Sequence, residues 1–188
     1  VVKRVKDLYP KIYDQKNIEL ADEKARKCKR NRYGVRKHDE HREIDNYALY
    51  LALREEDYHT SEYTTYKIYE PKERLIFRLP YYPDRITHHA IMNVMEPVWT
   101  KVFTRDTYSC IKGRGIHSLV QKLQSDLRKD PEGTMYCLKI DIRKFYPSIN
   151  HDILKGILRK KIKDVPLLNL LDEIIDSADG VPIGNYLS

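Results

Sequence analysis

The chain lacks any run of about 18 apolar residues, the length a helix needs to cross a bilayer, so no membrane span is predicted. Its opening residues, VVKRVKDLYPKIYD, lack the apolar core of a secretory signal, and the cytoplasmic location expected of the chain rests on its three scattered cysteines, which fit a reducing compartment. The opening residues also lack an initiator Met, which predicts a trimmed start. Cysteine is scarce: Cys28, Cys110 and Cys137 are odd in number and far apart, which excludes a disulfide framework and any zinc-ligand spacing. There is no internal repeat and no low-complexity linker. Phe and Trp are rare, with 3 and 1, whereas Tyr is abundant at 15.

What is present is a soluble, globular composition, 41% hydrophobic and 34% charged, with 35 Lys+Arg against 28 Asp+Glu. The net charge of +7 calls for a polyanionic partner, most simply nucleic acid. Tyrosines interleaved with cations suit stacked bases, although many will serve as packing residues. Helical periodicity runs from Asn17 to Arg32, ends in the basic stretch KARKCKRNR and breaks at Gly34. That basic stretch is either a solvated face or a grip on a phosphate backbone. A second helix is predicted from about Glu40 to Asp57, with Ile44, Tyr47, Ala48 and Leu51 as its buried stripe.

Two β-rich runs, Tyr63 to Tyr69 and Arg74 to Pro80, flank Glu70-Pro71-Lys72-Glu73 and predict a hairpin. With Tyr69 opposite Arg74, one face carries Ile68, Leu75, Phe77 and Leu79. The other carries Lys67, Tyr69, Arg74, Ile76 and Arg78, a cation cluster that needs either an anion or a salt bridge to Glu62 or Glu70. Asp84 is placed to cap a helix reaching Val102, with Ile86, Ala90, Ile91, Val94, Met95 and Val98 on its core side. His88 and His89 flank that side as structural or nucleic-acid-contacting residues. The loop SCIKGRGIH opens onto another helix, where Lys112 and Arg114 could meet phosphate.

The stretch MYCLKIDIRKFYPSI, Met135 to Ile149, alternates as a strand and ends on Asp141. Two readings stand for that carboxylate: a metal ligand for phosphoryl transfer, or a cap on the following turn. Asn150 then caps a helix with Ile153, Leu154, Ile157 and Leu158 inward. A short helix spans Leu167 to Ile175, and the chain closes on DGVPIGNYLS.

Four stretches in order resemble successive motifs of reverse transcriptases: YKIYEPKERLIFRLPYYPDRITHHAI, YSCIKGRGIHSLVQKL, YCLKIDIRKFYPSI and GVPIGNYLS. The likeness covers about two-thirds of the chain, from roughly Tyr63 onward, and is strongest to prokaryotic enzymes, above all the polymerases of diversity-generating retroelements. It implies an α+β fold, right-hand polymerase fingers with a partial palm, helices packed on short antiparallel β elements. The fingers would span 1–132, with a helical N-terminal part, a β-hairpin at 63–80 and helices at 84–102 and 116–129. The start of the palm would span 133–188, with a strand at 135–141, helices and a turn motif at 180–188. The chain would be an N-terminal fragment of a prokaryotic or phage-encoded enzyme.

The resemblance implies RNA-directed DNA synthesis by two-metal nucleotidyl transfer, using two Mg2+ (or Mn2+) ions. The partners would be an RNA template, a DNA or RNA primer, dNTPs and possible retroelement accessory protein, with no membrane. Asp141 matches the first catalytic, metal-binding carboxylate, and the backbone carbonyl of Ile142 a further metal ligand. The N–H groups of Lys144 and Phe145 would meet the triphosphate, and Tyr146 would reject a 2′-hydroxyl. Lys67 and Arg74 resemble the cations that clamp the dNTP, while Arg78 with Lys112 and Arg114 would contact nucleic acid. Ile183, before Gly184, stands where many relatives carry Gln, which implies relaxed base selection. The second carboxylate motif, aromatic-x-Asp-Asp, is absent, so the fragment alone is expected to be inactive. Alternatives are a group II intron or retron-type enzyme, a template-independent phage-defence polymerase and a non-catalytic RNA-binding module.

Overall fold

A computed structural model describes residues 4–69 and 72–188, and it is α+β: eight α-helices and one two-stranded sheet among the described residues. Two compact units divide it, one formed by residues 1–94 with 144–188 and the other by 95–143. The turn expected at Glu70-Pro71 lies outside the described residues.

In the first unit, α1 (Tyr9–Ile12) and α2 (Gln15–Arg26) open the chain, the latter capped by the Asp14 side chain on the N–H groups of Lys16 and Asn17. The basic run does not continue as helix. Cys28 takes a left-handed φ of 60°, the chain turns, and α3 (Tyr33–Asp39) begins. Gly34, expected to break a helix, lies inside α3. A Cβ there would stand 3.0 Å from that of Tyr81, so its role is close approach. Helix α4 (Arg42–Arg54) buries Leu49 and Leu53, whereas Ile44, Tyr47, Ala48 and Leu51, expected inside, are exposed. The side that wins carries Leu49 and Leu53 together with Arg42 and Asp45, which join a buried ionic network.

That network centres on Asp22, fully buried on α2. Its carboxylate accepts from Arg26 at 2.8 Å, from Arg42 at 2.6 Å and from the Tyr81 hydroxyl at 2.5 Å. His38 completes it, with Nδ1 at 2.8 Å from Asp45 and Nε2 at 3.6 Å from Asp22, an ionic contact beyond hydrogen-bond length. Burial alone would raise the Asp22 pKa, but the groups around it hold it well below the ordinary carboxylate range. Burial alone would likewise lower His38, and Asp22 and Asp45 more than reverse it, so its pKa is raised.

The hairpin pairs β1 (Thr64–Tyr69) with β2 (Glu73–Arg78) antiparallel, with Tyr69 opposite Glu73. This register differs by one residue from that expected and changes every side-chain face. Lys67 and Arg74 now point to opposite sides. The reason is electrostatic: the observed register sets Glu73 beside Lys67, with Nζ–Oε1 2.6 Å, in place of three like charges on one face.

An irregular helical turn, Tyr81–Arg85, leads into α5 (Ile86–Val102), whose Ile86, Ala90, Ile91 and Met95 are buried as expected. Asp84 does not cap that helix; its buried carboxylate accepts from the Tyr58 hydroxyl at 2.8 Å and the Ser61 N–H at 3.0 Å. After α7 (His151–Lys161), α8 (Val165–Asp176) closes the core through Leu167, Leu168, Leu170 and Ile174. Asn150 caps α7 as expected, accepting from Ile153 N–H. Ile153 and Ile157 are nevertheless exposed, while Lys155, expected outside, is half-buried against Asp176. Asp164 caps α8 and also accepts from the N–H groups of Leu8 and Tyr9, tying the chain's start to its last helix.

The second unit carries α6 (Ile116–Lys129), which buries none of its residues. The strand expected at 135–141 does not form: Tyr136, Leu138 and Ile140 are exposed, and no strand among the described residues lies beside them. A strand without a hydrogen-bonded neighbour is only extended chain.

Candidate nucleic-acid interface

The turn after α2 places Lys29 and Arg32 beside Arg78, at the end of β2, and Arg85. Together with Tyr66 and Tyr81 these four cations line a cavity of about 340 Å³ within the first unit. None of the four forms an ion pair among the described residues. Burial, then the charges of Arg85 and Arg32, lowers the Lys29 pKa, and burial, then Arg78, lowers that of Arg85. Groups that destabilise one another's charge are short of an anion. Tyr81 forms one wall and is held by its bond to Asp22, so the buried network fixes the cavity's shape.

A second assembly gathers three of the sequence's motifs in the same unit. Phe77 N–H donates to the Ile183 carbonyl at 2.9 Å, joining β2 to the closing segment. Gly184 has φ 116°, and a Cβ there would fall 2.8 Å from the Phe77 carbonyl oxygen. Val181 N–H donates to the Tyr146 carbonyl at 2.9 Å, and His151 Nε2 lies 2.8 Å from the Gly180 carbonyl oxygen. Gly180, at φ 61°, is as constrained as Gly184: a Cβ would meet the Tyr146 carbonyl oxygen at 2.5 Å. Tyr186 stacks on His89 with ring centroids 3.7 Å apart. Phe145 and Tyr146 meet edge to face at 5.4 Å, both partly open to solvent. Lys144 takes a left-handed φ of 51° and its carbonyl accepts from Ser148. Neither Lys144 N–H nor Phe145 N–H donates to any group among the described residues.

The remaining sites stand apart. Lys67 is neutralised by Glu73, whereas Arg74 is exposed, on the same hairpin face as Tyr66 and Arg78. In the second unit, Gly113 at φ 80° turns the loop that carries Lys112 and Arg114, and Arg114 Nη1 donates to the Thr104 carbonyl. Asp141 and Ile142 are exposed, and the Asp141 carboxylate has no partner among the described residues. No group of three or more His, Cys, Asp or Glu is placed to hold a metal among the described residues. A lone carboxylate does not fit a pair of divalent ions, which need several.

Arg85 was missed in the sequence. Its neighbour Asp84 reads as a cap, and nothing in YYPDR marks which of the two charges is paired. Lys29 and Arg32 belong to the basic run, but only the turn at Cys28 aims them at the hairpin.

No family model matches the chain. Over 100 residues, 53% of the chain, it is 22% identical to "Nuclear intron maturase 1, mitochondrial" of Arabidopsis thaliana, covering 14% of that protein. Over 137 residues, 65% of the chain, it is 24% identical to "Protein YkfC" of Escherichia coli (strain K12), covering 36% of it. It is also 23% identical over 109 residues to "Uncharacterized mitochondrial protein ymf11" of Marchantia polymorpha, 55% of the chain and 14% of that protein. The chain thus has distant similarity to an intron maturase and spans well under half the length of each of these relatives. No helix among the described residues is long and apolar enough to cross a membrane.

Proposed function

We propose that this chain is the nucleic-acid-binding part of a reverse-transcriptase-like nucleotidyltransferase, with right-hand fingers and the beginning of a palm. The observation that carries the reading is the uncompensated cation cluster Lys29, Arg32, Arg78 and Arg85. One of the four, Arg78, ends β2, the strand whose Phe77 N–H donates to the Ile183 carbonyl. A phosphodiester strand supplies the missing negative charge, and Tyr66 offers a face for stacking. The distant similarity to an intron maturase supports an RNA partner. In this reading Asp141 contributes one carboxylate to a divalent-metal site (Mg2+ or Mn2+) that other residues of a longer protein complete. The exposed N–H groups of Lys144 and Phe145 receive the dNTP triphosphate, and Tyr146 reads its sugar.

The test is binding of a fluorescent single-stranded RNA across a salt series. For single strands each lost phosphate contact lowers the salt slope by about 0.7, so Lys29→Ala/Arg32→Ala/Arg85→Ala should lower it by roughly 2 and weaken binding throughout. An unchanged slope would sink the reading. The finer placement among polymerases of diversity-generating retroelements rests on Ile183. In the whole protein, Ile183→Gln should reduce misincorporation opposite template adenine, and equal error rates would remove that placement.

A non-catalytic RNA-binding module is the second reading, favoured by the isolation of Asp141. Primer extension by the whole protein with and without Asp141→Asn separates the two. Synthesis that the substitution abolishes supports the enzyme; its absence from both supports the module.

A further inference from the structure

Helix α4 is apolar on two opposite sides, and only one of them is used. Leu49 and Leu53 face the core, while Ile44, Tyr47, Ala48 and Leu51 repeat at helical spacing on the outer side. Ile44 is 71% and Tyr47 54% exposed. Beside Tyr47, exposed Leu20 of α2 extends the surface across a groove of about 610 Å³. A second apolar stripe left in water on a helix that already packs through its first marks an interaction surface.

The charges around the stripe say what kind of partner. Glu43 and Glu55 stand toward its two ends, and Glu19 and Glu43 line the groove without an ion pair among the described residues. Arg42 is committed to Asp22 and Glu23, and Arg54 lies 3.6 Å from Glu55, which leaves Lys16 as the groove's other cation. On a chain of net charge +7 this rim is locally acidic. A second copy fits it poorly, because antiparallel packing about the middle of the helix sets Glu43 of one copy against Glu55 of the other.

We propose that the outer face of α4, with Leu20, docks an amphipathic helix of another protein that has a leucine-rich stripe flanked by Lys and Arg. The interaction goes beyond the nucleic-acid reading and uses none of the cations in the cavity.

The probe is a labelled 14-residue helix of leucine and lysine, titrated by fluorescence anisotropy against the 188-residue chain, beside a leucine and glutamate counterpart. The lysine peptide should bind at least ten-fold more tightly than the glutamate peptide. It should lose at least ten-fold against Ile44→Glu/Leu51→Glu, both exposed positions whose circular dichroism should be unchanged. Glu43→Lys/Glu55→Lys should reverse the preference between peptides without touching the apolar stripe. Lys29→Ala/Arg32→Ala/Arg85→Ala, which should weaken RNA binding, should leave the preference between the two peptides unchanged, so this proposal and the nucleic-acid reading fail separately. Equal binding of the two peptides, or binding indifferent to the variants, would overturn the proposal. So would a dimer seen by sedimentation that Ile44→Glu/Leu51→Glu dissociates, which makes a second copy the occupant. Binding to the 188-residue chain but not to the whole protein would also overturn it, because another segment of the same protein would then cover the face.

Discussion

Residues 4–94 with 144–188 pack Ile12, Ile18, Leu49, Leu53, Ile86, Ile91 and Leu167 out of water, whereas from Glu96 to Arg143 no residue is buried. The second stretch is not short of apolar residues. Ile116, Leu119, Val120, Leu123 and Leu127 form one face of α6, and all are exposed. Helical patterning is therefore equally good in both regions, and burial is not. The difference teaches that amphipathicity announces a buried face without supplying what buries it. In the first unit the cover comes from distant parts of the same chain, as when Asp164 binds the backbone of Leu8 and Tyr9. For α6 and for residues 135–142, we propose that the cover comes from the rest of a longer protein.

The sharpest way to break the contrast is at Asp22. Asp22→Asn leaves Arg26 and Arg42 short of their shared counter-charge and should cost roughly 3–5 kcal/mol in urea unfolding. A loss under about 1 kcal/mol would mean that the network does not hold the first unit together. Next comes a matched pair of leucines. Leu53→Ala should cost about 2–5 kcal/mol, and Leu123→Ala on α6 within about 0.5 kcal/mol. Equal costs would show that α6 is covered in solution.

Titration gives a smaller effect with opposite signs at two histidines. The His38 pKa is raised by Asp22 and Asp45, so its stabilisation is complete below an unfolded value of about 6.5 and lost as pH rises through the folded value. Burial, then His89 and Arg85, pushes His88 down to about 4, so its neutral form loses stability as pH falls from the unfolded value toward that figure. Urea midpoints between pH 4 and 8, approximate limits set by these two ranges, should fall at both ends for the wild type. His38→Gln should flatten the alkaline side and His88→Leu the acid side; an unchanged profile in either variant would refute its assignment. Least of all, Asp141→Asn should change stability by under about 0.5 kcal/mol, since its exposed carboxylate holds nothing in place.

Much of the framework was legible in the residues themselves. Asn150 reads as a cap and is one, and the core side of α5 follows from the spacing of Ile86, Ala90, Ile91 and Met95. The hairpin was legible too, but its register was not. One residue of slip moved Arg74 away from Lys67, and the choice depended on where Glu73 could meet a cation. The stripe on α4 failed for a related reason: with apolar residues on two sides, periodicity cannot choose between them. Arg85 was invisible because its importance comes from Lys29 and Arg32, more than fifty residues away in sequence.

The sequence by itself determined where most helices and both strands lie, because local hydrogen bonding, caps and apolar spacing are properties of neighbouring residues. It also put Phe145-Tyr146 and GVPIGNYLS on the chain as candidate motifs. Only the tertiary structure decided that these two segments meet, that four cations share one cavity without an anion, and which side of α4 is left open. Those outcomes turn on competition between distant groups for burial and counter-charge, and that competition is settled only when the whole chain packs.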